Sequence, residues 1–229
     1  DLKEATDLNC KIIKIYPVKS NIDLINISQF KNVDFIAAGG LSISDIPLYK
    51  SLGYKAIVVG EKGFKNNEID LIIVATTTPD QIFPSTACIV QNNLNIVAPA
   101  FDVQAACTGF IYALSIADNY IKTGMCKNVL VIGAEKYSNI LDWDDRSTCV
   151  LFGDGAGAVV LSAKNSEGII SSHIHADGQY NDLLSVEDKH IKMKGNEVFK
   201  VAVNTLSNLV DETLNKNNLD KTDIDWLVP

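Results

Sequence analysis

Short apolar runs separated by helix-length segments constrain the fold of this chain more than any other feature. Residues 71–75 (Leu-Ile-Ile-Val-Ala) and 129–132 (Val-Leu-Val-Ile) lack the polar alternation of a half-exposed strand. Continuous apolar strands are typical of sheets that are covered on both faces, and intervening helices indicate parallel strands with crossover connections. The sequence therefore predicts an α/β fold built on a layered sheet.

The same patterns predict the individual elements. Strands are expected at residues 11–16, 33–38, 56–60, 69–76, 129–134, 150–162, 168–175 and 224–228. Helices are expected at residues 44–52, 105–122 and 195–215, and Gly124 is expected to end the second one. The glycines at residues 153–157 are expected to form a tight turn that interrupts one strand. Their spacing differs from the G-x-G-x-x-G pattern of a dinucleotide-binding loop.

Charge and cysteine content exclude several classes of function. The 229 residues include 20 basic and 28 acidic ones, and the resulting net charge of −8 makes nucleic acid an unexpected partner. No apolar run is long enough to span a membrane and no targeting signal is visible, so we expect a cytoplasmic protein. The five cysteines are dispersed and form no CxxC pair, so no metal site is expected.

Cys107 is the residue whose position most clearly suggests a catalytic role. It lies between an extended segment and the first turn of the helix predicted at residues 105–122, where unpaired backbone N–H groups carry partial positive charge. This position favours the thiolate, which is the nucleophilic form of cysteine. Small neighbours such as Ala106 and Gly109 leave room for a substrate. The alternative is a buried structural cysteine that packs as a small hydrophobic residue.

Five ordered motifs occur between residues 66 and 229. They are Val-Ala-Thr-Thr-Thr-Pro-Asp (74–80) with Phe-Pro-Ser (83–85), Ala-Ala-Cys-Thr-Gly-Phe (105–110), Gly-Asp-Gly-Ala-Gly-Ala (153–158), His-Ala-Asp-Gly (175–178) and Gly-Asn-Glu-Val-Phe-Lys (195–200). In this order they resemble the 3-oxoacyl-(acyl-carrier-protein) synthase III family, and residues 226–229 extend the match. The resemblance implies a thiolase-like layered α/β fold for residues 65–229, and this domain is expected to be truncated at both ends.

The resemblance also implies an acyltransferase that initiates fatty-acid synthesis. Such an enzyme is a homodimer that condenses acetyl-CoA or another short acyl-CoA with malonyl-acyl carrier protein, and it uses acyl-CoA as a substrate rather than a cofactor. Cys107 would hold the acyl group as a thioester. The family's decarboxylating His would follow residue 229, and His173, His175 and His190 do not match it. We therefore expect incomplete condensation activity and a structural role for His175.

Two further residues receive roles from the resemblance. Phe83 matches an aromatic residue that bounds the primer pocket, often from the neighbouring subunit, and packing in the core is the alternative. Arg146 is the only arginine of the chain and matches an arginine near the CoA nucleotide. Its planar guanidinium suits bidentate binding of a phosphate or a base. An ion pair with Asp144 or Asp145 is the alternative.

Residues 1–64 do not fit this family. Residues 13–17, 37–42 and 56–60 resemble the carboxy-terminal part of a 2-keto-3-deoxy-6-phosphogluconate aldolase, a class I (β/α)8 barrel. That resemblance implies a Schiff base at Lys14 and phosphate binding at Gly39, Gly40 and Gly60. The alternative for Lys14 is an ordinary lysine at the end of a strand.

Two parts are therefore expected, an aldolase-like (β/α)8-barrel fragment at residues 1–64 and a thiolase-like domain at residues 65–229. Three functions compete: a condensing enzyme, a Schiff-base aldolase acting on a phosphorylated 2-keto-3-deoxy sugar acid, and a non-catalytic fused fragment. We expect a separate three-stranded parallel sheet in the first part. We expect Cys107 to lie at a helix amino terminus, substantially buried beneath the mouth of a cleft.

Overall fold

The computed structural model describes residues 12–15, 34–37, 48, 56–57, 64–164 and 168–227. Contacts between residues divide the chain into two compact units, Asp1–Lys65 and Asn66–Pro229. The boundary therefore lies one residue beyond the position at which the sequence patterns change.

The first unit contains a small parallel sheet. Its strands β1 (Ile12–Ile15), β2 (Asp34–Ala37) and β3 (Ala56–Ile57) are hydrogen-bonded in that order. This is the separate three-stranded parallel sheet that the sequence predicts. Lys14 pairs with Ile36 in the backbone register. Gly39, Gly40 and Gly60 lie outside the described residues, and so does the helix predicted at 44–52 apart from Leu48, which is helical.

A four-stranded mixed sheet forms the centre of the second unit. Its strands are β4 (Leu71–Ala75), β5 (Ala100–Val103), β6 (Asn128–Lys136) and β7 (Asp154–Ser162), arranged in the order β5-β4-β6-β7. Strand β4 is parallel to both neighbours, and β7 is antiparallel to β6. The carboxyl ends of β4, β5 and β6 therefore lie at one edge of the sheet, where β7 begins.

Helices and one hairpin complete the described part of this unit. The helices are α1 (Thr86–Asn93), α2 (Gly109–Lys122) and α3 (Gly195–Asn217), and strands β8 (Leu184–Glu187) and β9 (His190–Met193) form an antiparallel hairpin. None of these helices combines the length and apolarity that crossing a membrane requires.

The core lies between the sheet and α2. Every residue of β4 is buried, and Leu71, Ile73 and Ala75 share a cluster with Val129 and Val131 of the adjacent strand. Helix α2 contributes small residues to this cluster and packs larger ones around it, with the spacing of one helix face: Phe110, Ala113, Leu114, Ala117 and Ile121. Both faces of β4 are covered, and this explains why its sequence is a continuous apolar run.

Specific hydrogen bonds fix the ends of the two helices beside the sheet. At the carboxyl end of α2, Gly124 has φ +76° and its N–H donates to Ile121, while the N–H of Met125 donates to Tyr120. These bonds form a Schellman motif, which confirms the predicted helix end. At the amino end of α1, the carboxylate of Asp102 accepts hydrogen bonds from the N–H groups of Thr86 and Ala87, both at 2.7 Å.

Three predicted elements are wrong. Strand β7 runs without interruption through Gly155 and Gly157, because each glycine has a partner in the ladder with β6; the predicted glycine turn is absent. Residues 168–175 and 224–227 form no strand in the structure as described. A strand requires a neighbour to pair its backbone groups, and no neighbour is present for either segment among the described residues.

Candidate active site

Cys107 lies where the chain passes from β5 into α2. It is the central residue of a 3-10 turn, Ala106–Thr108, and the first residue of α2 follows directly. The prediction of a position at a helix amino terminus is therefore confirmed. The prediction of substantial burial is wrong, because Cys107 is exposed together with Ala106 and Thr108. The turn lies at the edge of the sheet, and the described residues leave it uncovered.

The backbone before Cys107 adopts a conformation that non-glycine residues rarely take. Ala106 has φ +46°, in the left-handed region, which costs about 1–2 kcal/mol for a residue with a Cβ. The next turn is held by close packing, because a Cβ added at Gly109 would lie 3.4 Å from the Cβ of Ala75. The first residue of α2 thus packs against the carboxyl end of β4, which keeps Cys107 at the carboxyl edge of the sheet.

A mainly apolar cleft of about 450 Å³ opens beside Cys107. Its lining comes from β4, the 3-10 turn that contains Cys107, α2, β6, the residue directly after β6, and β7. These residues are Ala75, Ala106, Cys107, Phe110, Gly133, Ala134, Glu135, Tyr137, Gly155, Ala156 and Gly157. Gly155 and Gly157 of the Gly-Asp-Gly-Ala-Gly-Ala motif therefore form part of the cleft wall rather than a turn. Strand residues without side chains leave space at this edge, and a thiol facing this space can meet an apolar acyl group.

Glu135 joins two strand ends within the cleft. Its carboxylate accepts hydrogen bonds from the Thr77 N–H at 2.9 Å, the Thr77 hydroxyl at 2.8 Å and the Thr78 hydroxyl at 2.7 Å. The Thr78 oxygen also accepts a hydrogen bond from the N–H of Lys136 at 2.7 Å. The segment that follows β4 is therefore fixed to the end of β6. Charge-assisted hydrogen bonds of this kind are among the strongest in proteins.

Tyr137 is the second polar residue of the cleft wall. It begins the 3-10 turn Tyr137–Asn139 directly after β6, and its ring contacts that of Phe152 with 5.3 Å between the centroids. Burial raises the pKa of its hydroxyl above the ordinary value of 10.0, and negative charge on Cys107 and Glu135 adds to this rise. A hydrogen bond with Thr77 opposes it. The phenol therefore remains protonated at neutral pH.

Sequence reasoning did not single out Glu135 or Tyr137. Neither is part of a motif that suggested a role, and the sequence shows only that they follow the buried run at residues 129–132. That position was a usable signal, because ligands of α/β sheets bind outside the carboxyl ends of parallel strands.

Phe83 and Arg146 do not line the cleft. Phe83 precedes α1 and is 82% exposed, so the alternative of core packing is wrong. Arg146 is exposed and forms no ion pair with Asp144 or Asp145 in the described structure. Asp145 instead accepts hydrogen bonds from Ser147 and Thr148, and those from Ser147 hold the pKa of the Asp145 carboxyl below its ordinary value.

His175, for which a structural role is predicted, is not among the residues that line the cleft. Its Nε2 atom lies 2.7 Å from the carboxylate of Glu212 on α3, and its carbonyl accepts a hydrogen bond from the Tyr112 hydroxyl on α2 at 3.4 Å. Within the described ranges, no group of three or more metal-binding side chains is arranged to hold a metal ion.

Known proteins share both the sequence and the fold of this chain. A protein of Aliivibrio fischeri named beta-ketoacyl-[acyl-carrier-protein] synthase III is 59% identical over 228 residues, and the match covers 93% of this chain and 72% of the relative. The chain belongs to the ketoacyl synthase III family. The model of this family, 3-Oxoacyl-[acyl-carrier-protein (ACP)] synthase III, matches residues 101–178, which include Cys107 and most of the cleft wall.

Other members of the ketoacyl synthase III family match a shorter span. The Thioalkalivibrio sulfidiphilus protein is 58% identical over 181 residues, covering 73% of this chain and 56% of the relative. The crystal structure from Aquifex aeolicus VF5 superposes with a TM-score of 0.67 at 52% identity, covering 69% of this chain and 52% of that one. The chain thus spans about half the length of these relatives. The likeness to solved ketoacyl synthase III structures establishes a thiolase-like α/β fold.

Proposed function

We propose that this chain belongs to an acyltransferase that initiates fatty-acid synthesis by condensing acetyl-CoA, or another short acyl-CoA, with malonyl-acyl carrier protein. One observation carries the proposal: the family's nucleophile motif places Cys107 at the amino end of α2, beside an apolar cleft. The relatives are named for synthesis on the acyl carrier protein, which supports that partner.

The acylation step follows from the position of Cys107. Its thiolate attacks the carbonyl carbon of the acyl-CoA thioester, the new C–S bond forms, and CoA leaves as a thiolate that takes up a proton. The amino end of α2 is placed to stabilise the oxyanion that develops during attack. No cofactor is needed for this step, since acyl-CoA supplies both the acyl group and the leaving group.

Roles outside the cleft extend the proposal. Arg146 is free to bind the nucleotide of CoA, because its guanidinium is exposed and its neighbour Asp145 is engaged by Ser147. Phe83 and Ile82 are 82% and 94% exposed, and an adjacent apolar pair is suited to contact a second subunit in a homodimer.

The aldolase alternative is not favoured. The parallel sheet of the first unit and the place of Lys14 in its first strand are compatible with it. Residues 66–229 alone, however, cannot account for a match that covers 93% of the chain. The similarity to the Aliivibrio fischeri ketoacyl synthase therefore extends into the first 65 residues.

Acylation of Cys107 is a direct test. The chain is incubated with acetyl-CoA and analysed by intact-protein and peptide mass spectrometry, with circular dichroism as the test of folding. We expect one acetyl group on the peptide that contains Cys107, no label in Cys107→Ser, and undiminished label in the matched variant Cys149→Ser. A folded protein that stays unlabelled, or a label that persists in Cys107→Ser, would contradict the proposal.

A further inference from the structure

An acyl group carried by Cys107 lies at an open edge of the sheet. Cys107 is exposed, and so are its neighbours Ala106 and Thr108. On the β7 side of the cleft, a Cβ added at Gly155 or Gly157 would meet nothing within 4 Å in the described structure beyond its own chain neighbours. Enzymes that protect a reactive intermediate exclude water from it, whereas the described residues leave this position accessible. A thioester on Cys107 is therefore open to attack by water.

Three of the residues that line the cleft carry groups that can exchange a proton: Cys107, Glu135 and Tyr137. The sulfur of Cys107 carries the acyl group and cannot act as a base. Burial raises the pKa of the Tyr137 hydroxyl above its ordinary value of 10.0, so the phenol keeps its proton at neutral pH. The carboxylate of Glu135 is therefore the one group of the described lining that can accept a proton from water.

The direction of the Glu135 side chain follows from the alternation of β6. Residues two apart in a strand point to the same face of the sheet. A Cβ added at Gly133 would lie 3.2 Å from the Cδ2 atom of Phe110, so this face of β6 meets α2. Glu135 lies two residues further along the same strand. Its side chain therefore points to the face of the sheet that carries α2, the helix that follows the Cys107 turn.

Hydrogen bonds orient the Glu135 carboxylate and leave it one acceptor position. Its Oε2 atom accepts hydrogen bonds from the hydroxyls of Thr77 and Thr78, at 2.8 and 2.7 Å, which occupies both lone pairs. Its Oε1 atom accepts one hydrogen bond, from the Thr77 N–H at 2.9 Å. The second lone pair of Oε1 has no donor in the described structure, so it is suited to accept a hydrogen bond from water. A water bound there is placed to give a proton to the carboxylate.

We propose that the chain is also a thioesterase, in which water attacks the acyl group on Cys107 and Glu135 is the general base. The inference rests on the proposed function for delivery of the acyl group from acyl-CoA. The water oxygen bonds to the thioester carbonyl carbon while the Glu135 carboxylate takes one proton. The tetrahedral intermediate then collapses, the C–S bond breaks, and the leaving thiolate takes that proton from Glu135. The products are a carboxylic acid and the free Cys107 thiol, and water is the only co-reactant.

Decay of an acetyl group on Cys107 tests the inference without CoA chemistry. p-Nitrophenyl acetate loads the site, because the Cys107 thiolate attacks the ester carbonyl and p-nitrophenolate leaves. The reagent is removed, and loss of acetyl from the Cys107 peptide is timed by mass spectrometry beside S-acetylglutathione at the same pH. We expect the wild-type chain to lose its acetyl group at least about a hundredfold faster, the lower end of general base catalysis. Equal rates overturn the inference, whether or not any variant folds.

Isotope labelling identifies the group that attacks the thioester. In water enriched in ¹⁸O, the acetate released from Cys107 is expected to contain one oxygen atom from the solvent. Its mass is measured beside the mass of the intact chain. Acetate that contains no solvent oxygen, or an acetyl group that moves from Cys107 to another side chain, overturns the inference.

A variant at Glu135 assigns the effect to its carboxylate. Glu135→Gln keeps one acceptor oxygen but cannot take a proton, so deacylation is expected to fall about a hundredfold. Acylation by p-nitrophenyl acetate should change far less, whereas a merely structural role would slow both steps alike. Glu187→Gln, on the exposed hairpin, is the matched control and should keep both wild-type rates. Wild-type deacylation in folded Glu135→Gln, or equal losses in both steps, overturns the inference.

Acetyl-CoA then separates this inference from the proposed function. The wild-type chain is incubated with acetyl-CoA and quenched in acid, and acetyl on Cys107, free CoA and free acetate are measured. If Cys107 stays unlabelled and no CoA is released, while the ester-loaded thioester still decays through Glu135, the proposed function fails and the thioesterase inference stands. If acetyl-CoA labels Cys107 and the label decays no faster than S-acetylglutathione, the thioesterase inference fails and the proposed function stands.

Discussion

Glu135 accepts hydrogen bonds from both the N–H and the hydroxyl of Thr77, at 2.9 and 2.8 Å. This pair joins the segment after β4 to the end of β6, two neighbouring strands that both contribute residues to the cleft. The relationship predicts that one carboxylate maintains the shape of the cleft, although it belongs to neither the nucleophile motif nor the glycine motif.

Glu135→Ala should destabilise the second unit and loosen the wall. Removing the carboxylate leaves Thr77 and Thr78 donors without their acceptor, which costs about 1.5–3 kcal/mol for hydrogen bonds to a charged group. Urea denaturation monitored by circular dichroism measures this loss. Glu135→Gln retains one acceptor oxygen and should lose less, while Glu187→Ala on the exposed hairpin serves as the control. Equal stability of Glu135→Ala and the wild-type chain would show that the network is dispensable.

Asp102 should contribute through the amino end of α1. Its two hydrogen bonds, each of 2.7 Å, satisfy two N–H groups that have no partner within the helix. Asp102→Ala is expected to lower the free energy of unfolding by about 1–2 kcal/mol, as for other lost helix caps. Asp102→Asn preserves one acceptor oxygen and should recover part of the loss. A wild-type denaturation midpoint in Asp102→Ala would contradict this account of the helix end.

Local patterns predicted the buried centre of the fold. Strand β4, strand β6 and helix α3 were found where apolar runs or helical spacing placed them, because those patterns reflect burial directly. The hairpin of β8 and β9 was missed. Its turn places Asp188 and Lys189 at positive φ, without the glycine or asparagine that usually signals such a turn.

Less of the candidate site could be predicted. Cys107 was identified because a nucleophile at a helix end has a local signature. Glu135 and Tyr137 reach the cleft only because β6 pairs in register with β4, and register is a property of two distant segments. The glycines of β7 were misassigned to a turn for a related reason. Gly157 pairs with Gly133 of β6, and a single strand contains no information about its partner.

Substitutions at Ile73, in the centre of the core, test the packing of β4 against α2. Ile73 is fully buried, so Ile73→Ala should cost about 2–5 kcal/mol, from lost burial and from the cavity left behind. Ile73→Val removes one methylene and should cost about 0.5–1.5 kcal/mol. The two midpoints of urea denaturation give the comparison. Similar small losses for both variants would mean that the surrounding residues collapse into the cavity, which would contradict close packing between β4 and α2.

Two cysteines on the same unit should differ sharply in reactivity. Cys107 is exposed at a helix amino terminus, whereas Cys126 is buried, and burial followed by the charge of Asp70 raises the pKa of the Cys126 thiol. Iodoacetamide at neutral pH should therefore modify Cys107 first and Cys126 only after unfolding. Peptide mass spectrometry over a time course, with and without urea, measures the order. Faster modification of Cys126 in the folded chain would be incompatible with the structure.

The last prediction concerns Glu212, which joins α3 to residues 173 and 175. Hydrogen bonds with Lys216 and His175, at 2.8 and 2.7 Å, hold the pKa of the Glu212 carboxyl below its ordinary value of 4.5. His173 also faces this carboxylate, with its Nδ1 atom 3.6 Å away. Because the folded state binds this proton more weakly than the unfolded state, stability must rise with pH across the interval between the two pKa values.

The contribution of Glu212 is therefore complete above the unfolded pKa and is lost as the pH falls through the folded one. We expect the difference in urea midpoint between the wild-type chain and Glu212→Gln to shrink as the pH is lowered from about 5.5 to about 3. Glu197→Gln, on the same helix but outside this cluster, is the matched control and should show a smaller change. A difference that stays constant or grows on acidification would contradict the lowered pKa and, with it, the ion-pair geometry that tethers α3 to His175.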